Sequence, residues 1–152
     1  MKGDFRQEVE FGLENLDKVL ASISAIVPQN IPANVLAPAL AYECLGYYNA
    51  FEHLMVRFLK SRSMAPASGP NWHRDTLKAF ESLLSETGLP LGQELSNVVT
   101  ELMGFRHVAT KIYGFLIDQD RLLALVNIIQ SNHASLRKVV EDLLGKLAST
   151  QL

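Results

Sequence analysis

The sequence predicts an all-α protein, an up-down bundle of four long helices and one short one. Two observations carry that reading. Apolar residues recur at steps of three and four along almost the whole chain, with no stretch of alternating pattern that would mark a strand. Prolines and glycines gather in short segments that punctuate those stripes. At 152 residues the chain has the size of one domain, and roughly 70% of its unfolded surface can be buried in a single core. No internal repeat and no long linker divides it, so residues 1–152 are read as one domain.

The first stripe, Phe5, Val9, Leu13, Leu16, Val19, Leu20, Ile23 and Val27, predicts a helix over about 4–27. Pro28 and Pro32 bracket its end, because neither can donate a backbone hydrogen bond. A second stripe from Leu36 through Leu40, Cys44, Tyr47 and Phe51 to Phe58 predicts a helix over about 34–61. Pro38 suggests that it is regular only from there on, since proline fits best in a first turn. Residues 61–71 read SRSMAPASGPN, a loop composition. A short third helix is expected over about 72–85, ended by TGLPLG at 87–92. The fourth is expected from Gln93 to about Tyr113, with Gly114 as its stop. Asp118 is placed to cap a fifth helix with the stripe Leu122, Val126, Ile129, His133, Leu136, Val140, Leu143 and Leu147.

Composition narrows the function. Hydrophobic residues make up 48% and charged residues 20% of the chain, which excludes intrinsic disorder. The 14 Lys+Arg stand against 16 Asp+Glu, a net charge of −2, so any contact with nucleic acid must be local. One cysteine, Cys44, permits no internal disulfide and no cysteine-based zinc site, and it suits a reducing cytosol. The apolar runs fall short of the ~20 residues a membrane span needs, and the opening MKGDFRQEVE is too charged for a signal peptide. A cytoplasmic protein is expected.

The fourth helix carries more than a core face. Leu95, Val98, Leu102, Phe105, Ala109 and Ile112 form one stripe. Val99, Met103, Arg106, Thr110 and Tyr113 form a second, and Thr100, Gly104, His107, Lys111 and Gly114 a third. At ~100° per residue, Arg106, His107, Lys111 and Tyr113 fall side by side on the flank away from the core. A solvated face is one reading of that flank. The other is a phosphate-holding cluster at a helix interface, with Arg106 as a bidentate fork, Lys111 as a point charge and His107 able to move protons. Val99 and Met103 have no use in a monomer that already buries the first stripe, so a homodimer paired along the fourth helices is expected.

At these residues a resemblance appears. ELMGFRHVATKIYGFLID (101–118) is similar to the signature helix of the HEPN superfamily, in its HepT-like branch. ALAYECLGYYNAFEHLMVRFLK (39–60) resembles that branch's second helix, and GPNWHRDTLKAF (69–80) its loop-to-helix segment. Such proteins are dimeric helical bundles, and many are metal-independent ribonuclease toxins. They are commonly encoded beside an MNT-type nucleotidyltransferase, the antitoxin, which can silence the toxin by transferring AMP to a tyrosine.

The branch motif is an Arg, four residues, a His, one residue and a Tyr. Arg106 matches the Arg and Tyr113 the Tyr, which the resemblance makes the AMP acceptor. Lys111 stands at the catalytic His position, and His107 directly follows the Arg, as is common in the branch. The resemblance implies that histidine helps the ribose 2′-OH attack the phosphate while arginine stabilises the developing charge. Lysine, with an ordinary pKa of about 10.4, is a poor base at neutral pH. The expectation is therefore a toxin-like component with a degraded site, its catalytic positions Arg106, Lys111 and His107, cleaving RNA weakly or not at all. The alternative is a non-catalytic dimeric binding module for a nucleotidyltransferase or a nucleotide.

Other polar residues read less sharply. Tyr48 and Glu52 share a face of the second helix, either as a half-exposed tyrosine with a solvated acid or as lining of the groove around Arg106. His73 beside Trp72 is a packing or groove-lining residue, and His133 a hydrogen-bonded core histidine. His53 beside Glu52 lacks a third ligand at a workable spacing, so no metal is expected, and no cofactor.

Overall fold

The computed structural model describes residues 2–64, 67–111 and 117–150. Five helices follow one another: α1 (Lys2–Ile26), α2 (Ala33–Ser61), α3 (Trp72–Glu86), α4 (Gln93–Ala109) and α5 (Gln119–Thr150). They pack as an all-α bundle, with no strand among the described residues. Helix α2 touches all four others and lies at the centre. It is apolar around most of its circumference, as a central helix must be, from Leu36 and Leu40 through Tyr47, Phe51 and Leu54 to Phe58. Among the described residues no helix is long and apolar enough to cross a membrane.

The helix ends follow from local chemistry. Pro32 starts α2, its carbonyl accepting the Val35 and Leu36 N–H groups, both at 2.9 Å. Here the sequence expectation needs correcting. The helix is regular from Ala33, with Pro38 in its second turn. The proline removes one N–H donor to Asn34, an exposed residue whose carbonyl can meet water instead. Helix α3 closes with a Schellman turn: Leu89 N–H bonds the Leu84 carbonyl at 2.8 Å and Gly88 N–H that of Ser85 at 3.1 Å. That turn needs the left-handed φ of +78° that Gly88 adopts. Asp118 caps α5 as expected, accepting the Asp120 N–H at 3.3 Å.

The fourth helix ends at Ala109, earlier than the apolar stripe suggests. The Thr110 hydroxyl is shared between the carbonyls of Arg106, at 3.0 Å, and His107, at 3.2 Å. A side chain that serves the last turn in this way competes with the next backbone N–H and favours a stop. Tyr113 and Gly114 lie outside the described residues.

A second correction concerns the apolar stripes of α4. Val99 is fully buried in the monomer, whereas Leu95 is only half-buried. Helix α4 packs on α2, α3 and α5 together, so its buried arc is wider than one stripe and includes Val98, Val99, Leu102 and Phe105. Val99 therefore does not call for a partner chain.

An aromatic cluster joins α1, α2 and α3. Phe58 meets Phe5 edge-on at 5.5 Å, and Phe80 lies 6.0 Å from Phe58 and 6.2 Å from Phe51. Such pairs contribute about 0.5–1.5 kcal/mol each beyond their area. They fix α3 against the stretch of α2 that carries Glu52. Gly12 brings α1 close to α2: a Cβ there would stand 2.6 Å from Leu54 Cδ2, and Leu54 is buried. Replacing Gly12 by leucine is expected to destabilise the fold by about 1–3 kcal/mol through overpacking. A shift of the urea midpoint to lower concentration would register this, and an unchanged midpoint would contradict it.

Candidate functional site

A groove of about 650 Å³ runs between α3 and the outer flank of α4. From α4 it receives Arg106 and His107, with Met103, Gly104 and Thr100 along the same wall. From α3 it receives His73, Arg74, Lys78 and Glu81. Three fixed cations, two imidazoles and one carboxylate make it locally basic on a chain whose net charge is −2. Gly104 contributes no side chain, and a Cβ built there meets nothing within 4 Å, so the helix flank stays open.

Behind the groove stands a buried acid. Glu52 is 7% exposed, and its Oε2 accepts the Tyr48 hydroxyl at 2.6 Å and His73 Nδ1 at 2.5 Å. A carboxylate only accepts, so the ring proton sits on Nδ1 and Nε2 is the nitrogen left for a ligand. Trp72 lies over the His73 ring with centroids 3.7 Å apart and planes 33° from parallel. Tyr48 is fully buried, and its hydroxyl is pushed far above the ordinary tyrosine range. Burial is the main cause, followed by its bond to Glu52 and that acid's charge, while the nearby Arg106 opposes them.

The residues singled out in the sequence are thus only partly gathered. Arg106, His107 and His73 share the groove. Tyr48 and Glu52 are neither half-exposed nor walls of that groove. They are buried on α2, where the Tyr48 hydroxyl donates to the Glu52 carboxylate. Lys111 is exposed in the turn after α4, its N–H on the Val108 carbonyl at 3.0 Å, one turn beyond His107 and outside the groove lining. Tyr113 falls outside the described residues. Arg74 and Lys78 were not singled out from the sequence. Their signal is a pair of cations one turn apart, just after the Trp72–His73 step.

A second polar cluster is structural. The Tyr47 hydroxyl bonds His133 Nδ1 at 2.9 Å, and His133 Nε2 bonds Asp17 Oδ1 at 2.8 Å. A neutral imidazole satisfies both partners, donating to the acid and accepting from the phenol. The chain ties α1, α2 and α5 together. No group of three or more His, Cys, Asp or Glu suited to a metal occurs among the described residues.

The model of the HepT-like protein family covers residues 39–147, from α2 to near the end of α5. The chain belongs to the HepT-like family. That family lies within the HEPN superfamily, and its members are generally partnered by an MNT-type antitoxin. No curated protein and no solved structure matches the chain. In this HepT-like protein the matched segment contains every residue of the groove and the buried Tyr48–Glu52 pair behind it.

Proposed function

We propose that this chain is the HEPN toxin-like half of an MNT–HEPN toxin–antitoxin pair, acting in the cytoplasm as a homodimer. Its groove holds the phosphate backbone of RNA, and its cleavage is slow because Lys111 occupies the motif's histidine position. The observation that carries the reading is the convergence of Arg106 and His107 from α4 with Arg74 and Lys78 from α3 on one groove. Arginine grips phosphate through two parallel hydrogen bonds, and the lysine adds point charge. The chemistry needs no metal. The 2′-oxygen attacks phosphorus, Arg106 stabilises the charge on the phosphate oxygens, and the 5′-oxygen leaves.

Salt-dependent RNA binding tests the reading. The wild type is expected to bind a short single-stranded RNA with an affinity that falls as salt rises. Arg106→Ala should weaken binding and reduce the logarithmic salt slope by about 0.7, the value for one phosphate neutralised on a single strand. Binding that is insensitive to salt, or unchanged in Arg106→Ala, removes the phosphate groove from consideration.

Tyr113 is the acceptor for AMP in this reading. It follows the cations Arg106 and Lys111 in the sequence, and those charges draw the triphosphate of ATP. Co-expression with the cognate nucleotidyltransferase should add the mass of AMP, and Tyr113→Phe should abolish the addition. Modification that survives Tyr113→Phe moves the acceptor elsewhere.

The second reading, a non-catalytic dimeric module that binds the nucleotidyltransferase or a nucleotide, is favoured by the exposed position of Lys111 beyond the groove. It predicts RNA or nucleotide binding with no turnover at all.

A further inference from the structure

We propose that His73 is the proton acceptor for RNA cleavage in this groove, positioned by Glu52. The proposal rests on the ribonuclease reading above and assigns its base to a residue of α3, outside the Arg106–Tyr113 motif.

Three features of the structure converge on His73. Its Nδ1 is tied to a buried carboxylate that is itself held by Tyr48, so the ring has one tautomer and one orientation. It lines the same groove as Arg106, and Nε2 is the ring nitrogen that the bond to Glu52 leaves over. Trp72 covers its face at 3.7 Å, an arrangement that favours the imidazolium formed when the ring takes a proton. Acid, imidazole and groove thus repeat the logic by which a carboxylate orients a general base, and the neighbouring Arg106 supplies the charge for the transition state.

The step balances simply. His73 Nε2 takes the proton of the ribose 2′-OH as the 2′-oxygen forms its bond to phosphorus. The bond from phosphorus to the 5′-oxygen breaks, and that oxygen takes a proton from water in the open groove. The products are a 2′,3′-cyclic phosphate and a 5′-hydroxyl, and His73 returns its proton to solvent. The charged and titratable groups around the ring are Glu52 and Tyr48 on α2, Arg106 and His107 on α4, and Arg74, Lys78 and Glu81 on its own helix.

Single-turnover cleavage of a short RNA by the full chain, followed against pH, tests this. The informative variant is His73→Asn, whose amide can still donate to Glu52 but offers nothing in place of Nε2. Wild type should cleave slowly, with a rate that climbs and then levels as pH rises. His73→Asn should lower the rate about 10²–10⁴-fold and flatten the profile, with RNA affinity kept. Glu52→Gln should keep affinity and move the rising limb to lower pH, because the imidazolium loses its anionic partner. Should His73→Asn fail to fold, His73→Gln and the Glu52→Gln profile carry the same test. A wild-type rate and profile in both His73 variants overturns the proposal and leaves the ribonuclease reading standing. RNA binding without any wild-type cleavage also overturns it. Absence of both binding and cleavage in the wild type removes the ribonuclease reading itself.

Discussion

Lys111→His is expected to raise the rate of RNA cleavage by about 10²–10⁴-fold, the usual contribution of one assisted proton transfer. The reaction has two such transfers, one from the 2′-OH and one to the departing 5′-oxygen. The first falls to His73, and the second is left to water. Lys111 follows His107 by one helical turn, just beyond the groove lining, so an RNA strand that continued along α4 from Arg106 would pass both positions. An imidazole there could hand its proton to the leaving oxygen near neutral pH. The substitution touches nothing in the core: Lys111 is exposed, and the bond it makes through its backbone N–H does not depend on the side chain. Thermal unfolding should therefore be unchanged while the cleavage rate climbs. A variant that binds RNA as before and cleaves no faster would place position 111 away from the reacting phosphate.

Alkaline pH is expected to unfold this protein steeply. Burial, with a smaller push from Glu43, raises the Cys44 thiol to about 12. Burial and then the Asp17 charge raise the Tyr47 hydroxyl, and burial followed by Glu52 raises that of Tyr48. All three groups keep their protons in the folded state at a pH where the unfolded chain gives them up. Their contribution is whole below the unfolded values, about 8.5 for cysteine and 10 for tyrosine, and is lost as pH climbs towards the folded ones. Each costs about 1.4 kcal/mol per pH unit once its unfolded form is ionised. Above pH 10 the three together cost about 4 kcal/mol per unit, against a typical domain stability of 5–15 kcal/mol. Loss of helical circular dichroism by about pH 12 is the expected result. Cys44→Ala should reduce the slope of stability against pH by about a third, whatever it does to stability at neutral pH. A flat profile between pH 9 and 11 would contradict the buried state of these groups.

The helices were legible in the sequence because a core face repeats every three or four residues whatever its neighbours do. Their limits were legible where chemistry is local, as at Pro32, Gly88 and Asp118. The end of α4 was not, because the apolar pattern runs on to Ile112 while a single hydroxyl, that of Thr110, serves the carbonyls one turn earlier. Val99 looked like a residue kept for a partner chain because a stripe counted on one helix cannot say how many neighbours that helix has.

The site divides in the same way. Arg106 and His107 could be placed on one flank by counting along α4. The pairing of Glu52 with His73 could not, because it joins two helices across a loop, and periodicity carries no information about which faces meet. Within α2 the spacing did put Tyr48 and Glu52 on one face, where the hydroxyl meets the acid. It could not tell that the two are bonded and buried, which makes the acid a fixed partner for an imidazole instead of a solvated charge.

The central place of α2 has a consequence for the order in which the chain acquires its parts during synthesis. Glu52 is translated early, His73 next, and Arg106 only once α4 has been made. Until then Glu52 and His73 can meet, but no groove stands in front of them. Helix α5, which supplies Leu122 through Leu147 to the core, comes last. A ribosome that stalls between α3 and α4 releases a fragment that carries Arg74 and Lys78 without Arg106, so two of the cations are made but the groove that α4 closes is not.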